Sequence, residues 1–283
     1  MTRYKQSRRR AVAGAPLAWT LVVFAVSLPF LVPLAWLIST AFKPDAKIFS
    51  FSLEILPRPA TLDHFHRVLR EFPFFTCMRN SVIVTAWTVI AAVAGTCPVA
   101  YSCACLQWPD RRLVFSLLML TMMLPAQVTM IPVFLIFRQL GWIDTFLPLI
   151  VPVFLGNAFF IFLLRQFFLG LPEVLIESAR IDGASEPRIL VCIVIPQCLP
   201  AVLTVALFAG MGAWNDFMGP LIYLMSEKNK TLALGLQSLM GQFSSEWGML
   251  MAGALIMALP ATIVFLVAQK YFIQGMSLSG IKG

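Results

Sequence analysis

The sequence predicts an all-α membrane protein with six transmembrane helices. Of its 283 residues, 59% are hydrophobic and only 12% are charged, whereas soluble domains carry roughly 25% charged residues. The apolar residues form long runs without a charge, and an α-helix needs about 20 such residues to cross a bilayer. No polar stretch between these runs is long enough to fold as a separate soluble domain.

The chain begins with a basic segment, residues 1–16, which includes Arg8, Arg9 and Arg10. Positive charges beside a span favour the cytoplasmic side, so we expect this segment in the cytoplasm. The apolar run that follows is too long for the hydrophobic part of a signal peptide, so we expect an uncleaved first span. Residues 17–283 are therefore predicted to form a single transmembrane domain.

Bilayer thickness and the positions of polar residues divide this domain into spans and loops. The predicted spans are Leu17–Phe42, Asn80–Leu106, Val114–Phe137, Leu147–Phe168, Leu190–Leu224 and Gly248–Ala268. Residues 43–79 and 225–247 become outer loops, residues 171–190 become the main cytoplasmic loop, and both termini lie in the cytoplasm. Pro125 and Pro132 are predicted to break the third span.

Several classes of function are excluded by what these spans and loops contain. The formal charge of +8 is explained by bases that flank spans, and no basic stripe interleaved with aromatic residues indicates nucleic acid. No catalytic constellation and no phosphate-binding glycine loop is present, so ATP is not expected to bind this chain. His64 and His66 are the two histidines, their surroundings offer an incomplete ligand set, and the six cysteines follow no metal-site spacing.

The cytoplasmic loop has the pattern of two short helices joined by a glycine turn. Pro172 suits the first turn of a helix, and Gly183 can adopt the left-handed conformation that ends one. Ser185 can cap the next helix, with Pro187 in its first turn. A first helix of about 11 residues is marginal alone. We therefore expect it to lie against another surface.

The order of residues in this loop resembles the EAA loop of ABC importer permeases, whose pattern is E-A-A-x3-G-x9-I-x-L-P. The matching positions are Glu177, Ser178, Ala179, Gly183, Ile193, Ile195 and Pro196. Ser178 and Ile195 depart from the pattern by small or apolar exchanges. The run Ala179–Ser185 and the end of the chain, Tyr271–Gly275 and Gly280–Gly283, are similar to the carbohydrate branch of these permeases.

This resemblance implies a type I ABC importer fold in a bacterial or archaeal cell membrane. It implies a second homologous permease, two copies of a cytoplasmic ATPase that binds ATP and Mg²⁺, and an extracellular or periplasmic solute-binding protein. No cofactor is expected in this chain itself. The residues implied to couple the permease to the ATPase are Glu177, Ser178, Ala179, Arg180, Asp182, Gly183, Ala184 and Pro196.

Candidates for a substrate pathway are polar or aromatic residues within the apolar spans. Aromatic faces and convergent hydrogen-bonding groups are typical of sugar sites. The candidates are Trp214, Asn215, Asp216, Asn157 and Gln127. Each of them is also a common type of contact between packed helices. An importer permease for glycerol phosphate derivatives or amino acids, or a secondary transporter, stays open as an alternative. The predicted first, second, third and sixth spans contain no Asp, Glu, Lys, Arg or His.

Overall fold

The computed structural model describes residues 17–49, 56–240 and 246–279, and these contain helices and no β-strand. The helices are α1 (Leu17–Ala41), α2 (Asp45–Ile48), α3 (Asp63–Arg70), α4 (Phe74–Cys105), α5 (Arg111–Thr121), α6 (Ala126–Gln139), α7 (Leu147–Ile150), α8 (Ala158–Phe168), α9 (Glu173–Ile181), α10 (Glu186–Ile189), α11 (Ile195–Gln197), α12 (Leu199–Asn215), α13 (Met218–Tyr223), α14 (Leu232–Gln237) and α15 (Trp247–Ser279). Val151–Leu155 and Glu227–Asn229 are 3₁₀-helices, and Leu190–Val194 is a π-helix.

Residues 1–16, 280–283 and parts of both predicted outer loops lie outside the described residues. Four helical stretches among the described residues are long and apolar enough to cross a membrane, and the number rises to six if each of two bent pairs is one span. The prediction of six spans is therefore confirmed in this form. Helix α4 begins at Phe74 rather than Asn80, so Arg79 belongs to the helix and not to the preceding loop.

The predicted third span is two helices, α5 and α6, bent by 98°. Pro125 is the residue before α6 and has an extended backbone, as its fixed φ and missing N–H require at a helix start. The prediction that Pro125 breaks the span is confirmed. The same prediction for Pro132 is wrong, because Pro132 lies inside α6.

The predicted fifth span, Leu190–Leu224, is also not a single helix. The run Glu186–Gln197 and α12 meet at an angle of 88°. Pro196 and Pro200 lie on either side of this bend. Pro196 removes a backbone donor near the end of the run Glu186–Gln197, and Pro200 lies in the first turn of α12, where a missing N–H is tolerated. The π-helix Leu190–Val194 ends two residues before Pro196. Helix α12 then ends at Asn215, and Met218–Tyr223 is a separate short helix.

The chain divides into two compact units, the first comprising residues 1–71 and 239–255. In this unit Arg67 is the centre of an ion-pair group. It lies 2.8 Å from Glu246 and 3.3 Å from Glu71. The buried His64 donates from Nε2 to the backbone oxygen of Lys43 at 2.7 Å. These contacts join α3 to the residues around it within the first unit.

The second unit comprises residues 72–238 and 256–283 and is built around α4. Helices α8 and α12 and the 3₁₀-helix Val151–Leu155 pack along α4. The shared core is rich in small residues, among them Ala92, Ala100, Ala201 and Ala209, which allow helix backbones to approach closely. At Gly95 the approach is closest, because a Cβ there would lie 2.3 Å from the backbone oxygen of Phe154.

Asp144, in the turn before α7, makes hydrogen bonds to the segment that follows α13. Its carboxylate accepts hydrogen bonds from the Met225 N–H at 2.9 Å, the Ser226 N–H at 2.8 Å and the Ser226 hydroxyl. Its backbone oxygen accepts from Asn229 Nδ2 at 2.6 Å, and its N–H donates to the Tyr223 oxygen at 2.8 Å. The hydrogen bonds from the Ser226 side chain and backbone hold the pKa of Asp144 well below its usual range.

We expect Asp144→Asn to lower the apparent melting temperature at pH 7 by roughly 2–4 °C, because the amide is a weaker acceptor than the carboxylate. The lowered pKa fixes the sign of the pH dependence. The contribution of Asp144 to stability is complete above its unfolded pKa of about 4 and is lost as the pH falls through the lower folded value. Thermal unfolding in detergent between pH 3 and pH 7 measures both effects.

Asp110→Asn is the matched control. Asp110 has nearly the same left-handed backbone, with φ 61° against 62° for Asp144, but its side chain makes no capping hydrogen bond to the helix that it precedes. We expect no change of melting temperature in Asp110→Asn. An equal loss in both variants would contradict the role assigned to the Asp144 hydrogen bonds.

Candidate functional site

Helix α9, in the loop that the sequence predicts to be cytoplasmic, has one buried face and one exposed face. Ile176 and Ala179 are buried in the core of the second unit. On the opposite face Val174 is 71% exposed and Ile181 is 86% exposed. Glu177, also exposed, lies between them in sequence. Exposed apolar side chains beside a charge make this face a candidate surface for docking onto another protein.

Gly183 ends α9 as predicted. Its φ is +79°, in the left-handed region, and a Cβ there would contact nothing within 4 Å. The Ala184 N–H donates to the Ala179 oxygen and the Gly183 N–H donates to the Arg180 oxygen, both at 3.0 Å. These two bonds form a Schellman motif, in which glycine avoids the strain that a side chain imposes at positive φ.

Two details of the sequence interpretation are corrected here. Pro172 is the capping position before α9 and not its first helical residue, so α9 is Glu173–Ile181. Ser185 occupies the capping position of α10 as predicted, but its side chain makes no capping hydrogen bond. Pro187 does lie in the first turn of α10. Pro196 is exposed and belongs to α11, close to the bend at Cys198.

A hydrogen-bonded group joins α9 to α10 and α4. Arg180 donates from Nε to Glu186 Oε1 at 2.7 Å, and the Tyr101 hydroxyl donates to Glu186 Oε2 at 2.5 Å. The hydrogen bond to Glu186 raises the pKa of Arg180 above its usual value, so this guanidinium stays charged. Tyr101 is buried, whereas Arg180 and Glu186 are partly exposed.

The C-terminal end of α4 is covered by donors from later parts of the chain. Trp108 Nε1 donates to the oxygen of Ser102, and Arg165 Nε donates to that of Cys103. Further donors reach the next carbonyls: Arg180 Nη2 lies 3.4 Å from the oxygen of Cys105, and Arg111 Nη1 lies 2.8 Å from that of Leu106. Positive charge at this end also complements the helix dipole.

Among the proposed pathway residues, Trp214 lines a cavity of about 620 Å³ between α4, α12 and the second-unit part of α15. Its indole Nε1 donates to the Met257 oxygen at 3.0 Å. Thr85 and Thr204 are the hydroxyl-bearing residues of the lining, which is otherwise almost wholly apolar. This lining offers few hydrogen-bonding groups to a sugar.

The other four candidates do not line this cavity. Asn215 donates to the Met211 oxygen at 2.9 Å, and Asp216 accepts from the Gly219 N–H at 3.1 Å. Asn157 caps α8, since its Oδ1 accepts from the N–H groups of Phe159 and Phe160. Gln127 is exposed near the start of α6. In the described part of the chain, no group of three histidine, cysteine, aspartate or glutamate side chains could hold a metal ion.

The family model of the binding-protein-dependent transport system inner membrane component matches residues 98–278, more than half of the chain. The chain belongs to this family. It is therefore a permease component of an ABC importer and a multi-pass cell-membrane protein, and it is not the subunit that hydrolyses ATP. The expected membership of the carbohydrate branch is confirmed by its relatives.

The arabinooligosaccharides transport system permease protein AraQ of Bacillus subtilis strain 168 is 32% identical over 270 residues, which cover 94% of this permease and 96% of AraQ. The diacetylchitobiose uptake system permease protein DasC of Streptomyces coelicolor is 29% identical over 265 residues, 93% and 95% of the two chains. A chain in the crystal structure of a bacterial ABC transporter involved in alginate import has a TM-score of 0.81 and 27% identity, covering 94% of this permease and 98% of that chain. This likeness confirms the predicted type I importer permease fold.

The structure adds residues to the site that the sequence interpretation missed. Tyr101 and Glu186 are the main ones, together with Trp108 and Arg165 at the end of α4. A signal for Trp108 and Arg111 was present, because donors and basic residues directly after a helix commonly cover its last carbonyls. Tyr101 carried no such signal, since its partner lies 85 residues away in the permease sequence.

We expect Asn157→Ala to lower the stability of the permease by about 1 kcal/mol, the usual cost of losing an N-cap. Asn157→Ser keeps a capping oxygen and should unfold like the unsubstituted protein. Gln127→Ala removes an amide near the start of another helix and serves as the control. Thermal unfolding in detergent measures all three. Equal stability of Asn157→Ala and the unsubstituted protein would contradict the capping role and leave Asn157 as a pathway residue.

Proposed function

We propose that this permease is one of two homologous transmembrane subunits of an ATP-driven carbohydrate importer, coupled to a cytoplasmic ATPase through α9. The observation that carries the proposal is the division of α9 into a core-packed face and an exposed apolar face. A short helix with this geometry is fixed to its own protein on one side and presents a docking surface on the other.

Five of the eight coupling residues fall into two groups with different tasks. Glu177, Ser178 and Asp182 are exposed and would contact the ATPase, with Glu177 facing a basic residue. Ala179 is buried and Ala184 packs against the same core, so these two would hold α9 in place. Gly183 supplies the turn between the two helices, and Pro196 lies in the bent segment beyond them.

Coupling then works by movement of a whole helix. Two ATPase copies that bind ATP and Mg²⁺ would close around the nucleotide and displace α9, and the helices packed against α9 would follow as a rigid body. A solute-binding protein delivers substrate from the opposite side, which fits the family of this chain. Residues 1–16, the loop that contains α9 and the C-terminus would then face the cytoplasm, and residues 225–247 would face outward.

Carbohydrate is the substrate class best supported. AraQ and DasC are named for oligosaccharide transport and uptake, and the structurally similar chain comes from an importer of a polysaccharide. Asn215 and Gln127 have exposed side chains and stay proposed pathway contacts. Trp214 and Asp216 stay proposed as well, although each already makes a hydrogen bond within the chain.

The first test is purification of the complex with its associated subunits. We expect an ATPase and a second permease to co-purify, and we expect the associated binding protein to bind oligosaccharides when a panel of sugars, amino acids and glycerol phosphodiesters is titrated. A complex that lacks an ATPase contradicts the proposed coupling. Binding of an amino acid or a glycerol phosphodiester alone contradicts the carbohydrate assignment but leaves the coupling intact.

Gly183→Pro should uncouple the complex. Proline cannot reach φ +79° and removes the N–H that bonds to Arg180, so the Schellman motif is lost. We expect the purified complex to contain several-fold less bound ATPase subunit per permease, while insertion of the permease into the membrane is unchanged. Gly183→Asn tolerates positive φ and should retain the ATPase.

Gly141→Pro is the matched control for damage to a glycine turn. Gly141 has φ +70°, its N–H also donates to the residue three positions earlier, and its Cβ would also contact nothing within 4 Å. We expect this variant to retain the ATPase. Normal ATPase content and normal ATP-driven uptake in Gly183→Pro would show that the coupling surface lies elsewhere.

A further inference from the structure

Three segments of the second unit meet at one carboxylate. Glu186, the first residue of α10, accepts from Tyr101 of α4 through one oxygen at 2.5 Å and from Arg180 of α9 through the other at 2.7 Å. Arg180 makes a further contact with Glu186 Oε2 at 3.4 Å. Together with the contact between Arg180 and the Cys105 oxygen, this group places α9, α10 and α4 in one hydrogen-bonded network.

The side chains of this network differ in burial, from a fixed buried residue at one end to a residue of α9 at the other. Tyr101 is only 3% exposed and packs in the core around α4, so its hydroxyl is a fixed donor at the edge of that core. Arg180 lies in the last turn of α9, directly before the glycine turn. Glu186 therefore connects a fixed point in a span to the end of the helix that is proposed to receive force.

Apolar packing alone would hold α9 less strictly. Its buried contacts are made by Ile176 and Ala179, and apolar contacts do not depend on direction. Hydrogen bonds require both a short distance and an alignment of donor and acceptor. The two bonds to Glu186 therefore restrict rotation and sliding of α9 against α4, which Ile176 and Ala179 would permit.

We propose that Tyr101, Glu186 and Arg180 are positioning residues that make α9 and α4 one rigid body, so that a displacement of α9 is transmitted to the span. This inference rests on the proposed function, since it concerns how the coupling surface acts. The three residues transmit movement and contact neither the nucleotide nor the substrate.

The test measures whether α9 and α4 move together in the assembled complex. Spin labels are introduced as genetically encoded amino acids at Glu173 on α9, which is not among the coupling residues, and Ile90 on α4. Both positions are exposed, and the native cysteines stay in place. Pulsed electron resonance then gives the distance between the labels without nucleotide and after trapping with ATP and vanadate. In the otherwise unsubstituted complex we expect a change below about 1 Å, smaller than the 1–2 Å shifts common for helices at interfaces.

Tyr101→Phe removes only the hydroxyl that bonds to Glu186. We expect trapping to change the label distance by several ångströms and to broaden its distribution, while the amount of bound ATPase stays the same. Glu186→Gln retains an acceptor for Tyr101 but weakens the pair with Arg180, and it should give an intermediate change. ATP hydrolysis should persist in both variants with less uptake of solute per ATP.

Thr96→Val is the control, because it removes a buried hydroxyl from the same helix that has no hydrogen-bond partner within the described chain. It should behave like the unsubstituted complex. A label distance in Tyr101→Phe that stays constant on trapping overturns the inference, and so does a distance that already changes in the unsubstituted complex. Absence of an ATPase from the unsubstituted complex contradicts the proposed function instead.

Discussion

This structure depends on one constraint, which is that the backbone carbonyl groups at the C-terminal end of the long helix α4 need hydrogen-bond donors. The last carbonyl groups of α4 have no partner within the helix, and leaving such groups unpaired away from water costs several kcal/mol each. Here the donors are side chains: Trp108 from the turn that follows, Arg111 from the start of α5, Arg165 from α8 and Arg180 from α9. Each donor brings its own segment to the same place. Satisfying one helix end therefore also fixes the position of the loop that contains α9.

Helix α9 shows how a helix of nine residues can be stable and still keep an exposed apolar face. A helix this short is not stable alone in water. Ile176 and Ala179 supply a packed face, and the glycine turn at Gly183 satisfies the carbonyls at its end. Val174 and Ile181 then stay exposed without loss of the fold. One face of α9 thus stabilises the helix, and the opposite face is the one available for recognition by a partner.

The sequence was sufficient for the features that depend on local chemistry. The span positions followed from hydropathy, the end of α9 from one glycine, and the break before α6 from Pro125. The sequence was insufficient to decide whether a proline within an apolar run breaks the helix. Pro132 is accommodated within a helix, whereas Pro196 lies beside a bend of 88°. It also failed to find Tyr101 and Glu186, because their contact depends on the packing of distant segments. The cap that Asn157 makes on α8 was also not predicted, although asparagine before a helix is a common cap; its assignment to a pathway stays a prediction.

The contact at Gly95 has a consequence for how such a protein can change shape. The backbone of α4 touches the backbone at Phe154 with no side chain between them. Two surfaces in such close register cannot slip along each other without collision, whereas surfaces separated by flexible side chains can. We therefore expect any movement that opens and closes a pathway to leave this contact unchanged. We expect the helices to change their relative orientation at the sharp bends between α5 and α6 and before α12 instead.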